Sequence, residues 1–419
     1  MTIAAACTDR WSITTSDRTT LRDLAARVAC LASRPLERSK AKLWTDHNAL
    51  RKTRPLIFCD PENGWNEIIT QADLRCSGKL ARDWEYRLKR EIFWGDCMQD
   101  DRVISPYFDI SEQYQDTGWG VEPEWHGREA GRAYSWDPPL KTEADLDRLK
   151  VPEILLDAEG TLGLIGLAQQ TLGDLLPVRR HTSWWWTLGL TQSLVFLRGL
   201  NQMLYDMTDS PKLMHRLMAL LRDTTLRRLD DLERRGLLSV NTRGDYVGSG
   251  GFGWSDELLQ PEDGVSATLD QMWGFAESQE TVGVSPRMFA EFVLPYQLPI
   301  LKRFGLTCYG CCEPLDKRID MLMRDVPNLR RVSVSPWCNH EVMAEKLGDR
   351  FVYSMKPNPS YIAMESFDET ALRSMLRKAI QTTRDCRVEI IMKDCNTIGR
   401  DPMRVVRWVQ IAREEAEAI

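Results

Sequence analysis

Between residues 51 and 419, short apolar runs alternate with longer stretches whose apolar positions recur every three or four residues. The first pattern predicts buried strands and the second amphipathic helices. Strand-like runs fall at Arg54–Cys59, Val103–Ile110, Pro177–His181, Leu238–Asn241, Leu306–Cys312, Arg331–Ser335, Phe351–Met355 and 387–392. Helical patterns fall at 80–97, 158–174, 211–236, 285–303, 315–325, 341–347 and 368–382, with a last one after Asp401. Asp209-Ser210-Pro211 and Asp401-Pro402 are helix starts, because a polar cap precedes or includes a Pro in the first turn. An earlier helix, capped at Ser16 or Asp17, carries Leu21, Leu24, Val28 and Leu31.

Strands alternating with helices mean βαβ units and a parallel sheet. Seven or eight such units without an internal repeat predict an α/β protein with a closed (β/α)8 TIM barrel. Residues 51–419 form the barrel in this reading, and residues 1–50 a helical extension. The stretch 117–140, with Trp119, Trp125 and Trp136, reads as a long loop over the barrel mouth. Gly248–Gly253 reads as a flexible run; it lacks the spacing and the Lys-Ser/Thr of a phosphate loop.

In a barrel the C-terminal strand tips share one rim, where the chemistry gathers. The tips here are His181, Asp245, Cys311, His340, Lys356 and Cys395. Strand alternation puts Tyr309, Cys311 and Glu313 on one face and Cys308 and Cys312 on the other. Two thiolates on separate tips, Cys311 and Cys395, with one or two N/O ligands, suit zinc with an open position. Asp245, Lys356 or Tyr309 is placed to protonate a leaving group. The triplet Trp184-Trp185-Trp186 cannot share one face of any element, so at least one ring looks into a cavity or solvent. Trp184 and Trp186 are candidate substrate contacts, and His47 is a candidate site histidine in a polar stretch.

Composition narrows the classes. A net charge of −6 and a pI near 5.6 argue against a nucleic-acid footprint. No apolar run has the length of a membrane span. The first residues lack the basic and long apolar regions of a signal peptide. Eleven cysteines in 419 residues do not read as a secreted disulfide framework. A reducing cytoplasm is the expected setting. Fifteen tryptophans supply flat apolar area suited to cores and to pockets for flat or cationic ligands.

Over residues 140–415 the chain resembles the uroporphyrinogen decarboxylase superfamily. The matching features are the Asp209-Ser210-Pro211 helix start, the segment Ser285–Tyr296, the Cys-bearing strand 306–312, and Cys395 before a Pro-initiated last helix. The superfamily includes decarboxylases and zinc-dependent methyltransferases acting on corrinoid carriers or thiols. The arginine-containing N-terminal segment of the decarboxylases is not found here. In the methyltransferases, zinc is bound by His-x-Cys on one strand and a distant Cys. Here Tyr309-Gly310-Cys311 stands at the first position and Cys395 at the second. The resemblance therefore implies Cys311 and Cys395 as ligands. The third stays open among Glu313, Cys312, His340, Asp245 and a Tyr309 phenolate, with Glu313 our first choice.

The implied activity moves a methyl group from a small donor, such as an aromatic methyl ether, to a corrinoid. The chain lacks the Asp-x-His-x-x-Gly pattern of corrinoid carriers, so the corrinoid is expected on a separate protein. A homodimer is compatible with this reading. The alternatives are a metal-independent decarboxylase or lyase, marked by a pocket of arginines such as Arg179, Arg180 or Arg243, and a non-catalytic module that docks a corrinoid protein.

Overall fold

A computed structural model describes residues 11–127, 134–262 and 265–418. It is an α/β protein built on a parallel sheet. The strands are β1 Leu56–Cys59, β2 Phe108–Ile110, β3 Tyr114–Asp116, β4 Glu124–His126, β5 Ser135–Asp137, β6 Ile154–Leu156, β7 Val178–Arg180, β8 Trp273–Ala276, β9 Leu306–Tyr309, β10 Leu329–Val334, β11 Val352–Met355 and β12 Arg387–Met392. Six of them form one sheet in the order β1-β12-β11-β10-β9-β8. The first strand thus pairs with the last. β2 and β7 form a separate parallel pair, and β3-β6 and β4-β5 are short antiparallel ribbons.

The expected eight-strand closure is not made by strand pairing among the described residues. Side chains occupy the edges instead. Beside β1, the Asp101 carboxylate accepts from the Ile57 amide at 2.8 Å, and Asp100 accepts from the Cys59 amide at 3.0 Å. Beside β8, the Asn241 side chain donates to Trp273 O at 2.9 Å and accepts from Trp273 N at 2.8 Å. Leu238–Asn241 is therefore not a strand: a side-chain amide makes the bonds a ladder would have made. In both places buried edge groups find partners, as they must.

Several predicted elements divide. The helix expected at 285–303 is two, Pro286–Phe292 and Leu294–Leu301, and Pro295 supplies the first turn of the second. The predicted strand at Val103–Ile110 shrinks to β2. The loop expected at 117–140 carries the β4-β5 ribbon, with part of it outside the described residues. Trp44–Asn48 is helical: it ends the helix α2, Pro35–Asn48, which follows α1, Thr15–Ala32. α1 is capped by the Thr14 hydroxyl, which accepts from the Asp17 amide at 3.1 Å. It buries Leu21, Ala25, Val28 and Leu31 against the helix Lys79–Phe93.

α2 closes the base of the sheet. Trp44 Nε1 donates to Asp101 O at 2.8 Å, and the Asn48 side chain donates to Phe252 O at 2.9 Å and Trp254 O at 2.7 Å. The Gly run is equally fixed. Val247 N donates to Gly251 O at 3.0 Å and Gly253 N to Asp245 O at 2.8 Å, which makes 245–253 a tight hairpin. A Cβ on Gly250 would overlap Arg331, and one on Gly251 would overlap Trp44. The glycines are there for close approach rather than for flexibility.

Candidate active site

His181 stands directly after β7, as its place at a strand tip predicts. Asp245 opens the 245–253 hairpin. The two meet, with His181 Nε2 2.5 Å from Asp245 Oδ1. The other carboxylate oxygen, Oδ2, is buried without a hydrogen-bond partner. Glu389 Oε2 in the interior is also without a hydrogen bond, but Asp245 differs from it in lining open cavities. The pair borders a cavity of about 240 Å³ lined by Trp184, Trp185, Trp186, Tyr246 and Phe275. On its other side Asp245 lines a second cavity, of about 370 Å³, with Arg87, Arg179, Arg243, Tyr107 and Trp254.

The three tryptophans divide their work as their adjacency requires. Trp184 is buried and its Nε1 donates to Leu237 O at 2.9 Å. Trp185 packs edge-on against Phe304. Trp186 is 44% exposed and meets Phe275 edge-on, with ring centroids 5.9 Å apart. Trp186 is thus the half-exposed ring of the three, and Trp184, expected as a substrate contact, is built into the wall.

Cys311 is reached by an irregular step. Gly310 has φ +99, a conformation that suits glycine. The turn breaks the strand alternation, and Cys311 joins Cys308, Val247 and Phe275 in one buried cluster. Tyr309 points the other way. Its hydroxyl donates to Gln297 Oε1 at 2.7 Å behind the strand, and burial pushes its phenol well above the usual range. Tyr309 and Cys311 therefore do not share a face. Glu313 is fully buried and accepts backbone bonds from Ser278 N at 2.8 Å and Cys311 N at 2.9 Å. Burial raises its pKa. It holds the turn after β9.

Cys395 lies in the main core, where its thiol contacts Met392 Sδ at 3.0 Å and burial pushes it up to about 12. Cys311 faces Cys312 instead, Sγ to Sγ 3.6 Å. The hydrogen bond from Cys312 draws the Cys311 thiol below its ordinary pKa, and the same contact, with burial, pushes Cys312 up. Among the described residues no three His, Cys, Asp or Glu side chains are grouped to hold a metal ion. Cys311, Cys395 and Glu313, as they are placed here, do not fit a shared zinc ion: one is in the inner cluster, one in the outer core, and one is engaged by backbone amides.

His47 and Lys356 belong to the interior below the cavity. His47 is fully buried, with Nε2 3.4 Å from Glu389. Burial lowers its pKa against the pull of Glu389, and it does not line the Trp cavity. Arg331 Nε lies 3.2 Å from Glu389, and Arg331 Nη2 donates to Asn48 Oδ1 at 2.6 Å. Glu389 also accepts from Gly251 N at 2.8 Å and from the Ser354 hydroxyl. Burial alone would raise Glu389, but Arg331, His47 and Lys356 outweigh it and hold the carboxyl down at about 2. Lys356 donates to Ser354 O at 3.0 Å and Oγ at 2.6 Å, and burial pushes its ammonium down to about 8. His340 bonds the Tyr353 hydroxyl at 2.8 Å and is not part of this group. Sequence reasoning missed the Arg331–Glu389 pair. The available signal was a carboxylate inside the apolar run Val388–Met392, since a strand buried on both faces tolerates a charge only beside a counter-charge.

No protein-family model matches the chain, and no curated protein matches it. Among solved structures it is similar to a methyltransferase from Methanosarcina mazei, at 12% identity and a TM-score of 0.49, over 90% of this chain and 98% of that one. A likeness at this level carries no argument for the chemistry, which rests on the residues. Among the described residues no helix is long and apolar enough to cross a membrane.

Proposed function

We propose that this chain is a methyltransferase that takes a methyl group from a small flat or cationic donor held against the tryptophans. The observation that carries the reading is the His181–Asp245 pair at the edge of the Trp-lined cavity. The reading takes the sheets as an interrupted (β/α)8 barrel whose gaps are sealed by Asp101 and Asn241. Trp184 and Trp185 form the wall, and Trp186 covers the donor. His181 delivers a proton to the oxygen or nitrogen that the methyl group leaves, and Asp245 orients the imidazole for that transfer. A corrinoid on a separate protein is the proposed acceptor and supplies the nucleophile. Zinc supplies Lewis acidity in the methyltransferases this sequence resembles, but the donor positions here do not fit it, so no step is assigned to it.

One observation favours the second reading, a decarboxylase or lyase. Arg179 and Arg243 line the cavity on the far side of Asp245, and with Arg180 they border a further cavity next to His181. Arg179 is held by Asp109 and Arg180 by Glu112, so Arg243 is the guanidinium that would meet a substrate carboxylate. One assay separates the two. Purified protein is offered a panel of methyl ethers, methylated amines and aryl carboxylates together with reduced cobalamin. Methylated cobalamin, formed by the wild type and lost in His181→Ala, is the expected result. Release of carbon dioxide without methyl transfer would overturn it in favour of the lyase. Zinc content of the same preparation is expected to be substoichiometric and unchanged by Cys395→Ala.

A further inference from the structure

Cys311 and Cys312 are neighbours in sequence, and in an extended strand their side chains would point to opposite faces. Here the two Sγ atoms approach to 3.6 Å. The strand ends at Tyr309 and residues 311–313 bend, so the extended conformation that would part the two side chains is gone. The two sulfurs differ in access. Cys311 is buried beside Phe275 and Val247, which line the Trp cavity, while Cys312 is partly exposed. Asp394 Oδ2 lies 3.9 Å from Cys312 Sγ, and Lys393, next to it in sequence, reaches Ser249 Oγ at 3.4 Å. One thiol therefore meets reagents from solvent, and the other waits within a short movement of it.

We infer that Cys311 and Cys312 form a reversible thiol–disulfide pair beneath the cavity, closed by low-molecular-weight disulfides. In the first step the partly exposed Cys312 thiol loses its proton to solvent, attacks one sulfur of the small disulfide, breaks its S–S bond and expels one thiol. In the second, the Cys311 thiolate attacks Cys312 Sγ and expels the other thiol. Two protein thiols are oxidised, one small disulfide is reduced to two thiols, and atoms and electrons balance. Adjacent Cα atoms are about 3.8 Å apart, shorter than the 4.4–6.8 Å of an ordinary disulfide. The closed form is accordingly strained and easily reduced, which suits a switch rather than a staple. Closure withdraws the Cys311 thiol from the cluster under the cavity. This inference is independent of the methyltransferase reading.

The test uses the whole chain and oxidised glutathione. After oxidation the protein is unfolded, alkylated and digested with trypsin, and the peptide Phe304–Lys317 is weighed. The expected peptide has lost the two thiol hydrogens, carries one alkyl group at Cys308, and regains two alkylation sites after dithiothreitol. Cys311→Ser is expected to stop at a glutathione adduct on Cys312, and Cys312→Ser to form neither adduct nor internal disulfide. A second measurement needs no variant: phenylarsine oxide, which requires two neighbouring thiols, is expected to bind the native protein and to protect both residues from alkylation after unfolding. Three alkylated cysteines after oxidation, a glutathione adduct that persists on Cys312 of the unmodified chain, a disulfide to any other peptide, or no protection by the arsenical would each overturn the inference.

Discussion

The base and the mouth of the sheet both hold charged groups, but they use them differently. At the base, Glu389 has Arg331, His47, Ser354 and the Gly251 amide around it. Its contacts with Arg331 and His47, at 3.2 and 3.4 Å, lie off the angle of good hydrogen bonds, and Arg331 supplies the opposite charge. At the mouth, Asp245 binds His181 with one oxygen and leaves the other without a partner beside two cavities. A buried charge whose neighbours are all protein serves the fold. A charge pair with an unspent acceptor and open volume beside it is available for chemistry. Burial alone would have selected the wrong histidine, since His47 is the more deeply buried of the two.

The contrast can be broken at its base first. Glu389→Ala leaves Arg331 buried without a counter-charge, and a destabilisation of about 3–5 kcal/mol is expected in urea unfolding. An unchanged midpoint would mean that the base is not what holds α2 in place. At the mouth, His181→Ala or Asp245→Asn is expected to lower turnover by ~10²–10⁴-fold while the melting temperature barely moves. Equal losses of stability and activity would erase the distinction between the two regions.

Acid separates them further. The Glu389 carboxyl falls from its ordinary 4.5 to about 2 in the folded chain, so the stability it contributes is complete above pH 4.5. That contribution is lost as the pH drops from 4.5 towards 2, and it amounts to roughly 3 kcal/mol. Unfolding free energies measured across that range are expected to slope less steeply in Glu389→Gln than in the parent. The smallest effect is expected at the rim. Trp186→Ala, at a half-exposed ring, should raise KM by about fivefold, or about 1 kcal/mol, with kcat nearly unchanged. A fall in kcat alone would place Trp186 on the reacting atoms instead of on the donor's outer face.

Much of this molecule was legible from the chain. The residues 387–392 form β12 as the apolar run predicts, because a short run of branched and apolar residues has no other way to hide both faces. The Pro-initiated helices begin at or next to the prolines, although Ser210 makes no capping bond. That three adjacent Trp rings cannot share one face also follows from position, but which ring is open does not: Trp184, expected as a substrate contact, is buried. What the sequence could not supply was direction after the strands end. One positive φ at Gly310 turned Cys311 towards Cys308 and left Tyr309 behind the sheet. That separation undid the shared face that a two-residue period gives Tyr309 and Cys311.

The sequence by itself determined the alternation of strand and helix, the polar tips and the excess of tryptophan, since these depend on local periodicity and side-chain chemistry. Tertiary structure decided which tips meet. His181 met Asp245 across 64 residues, Asn241 replaced a strand, and Glu389 found Arg331. Such pairings depend on distances between segments far apart in the chain, and no local pattern of residues encodes a distance.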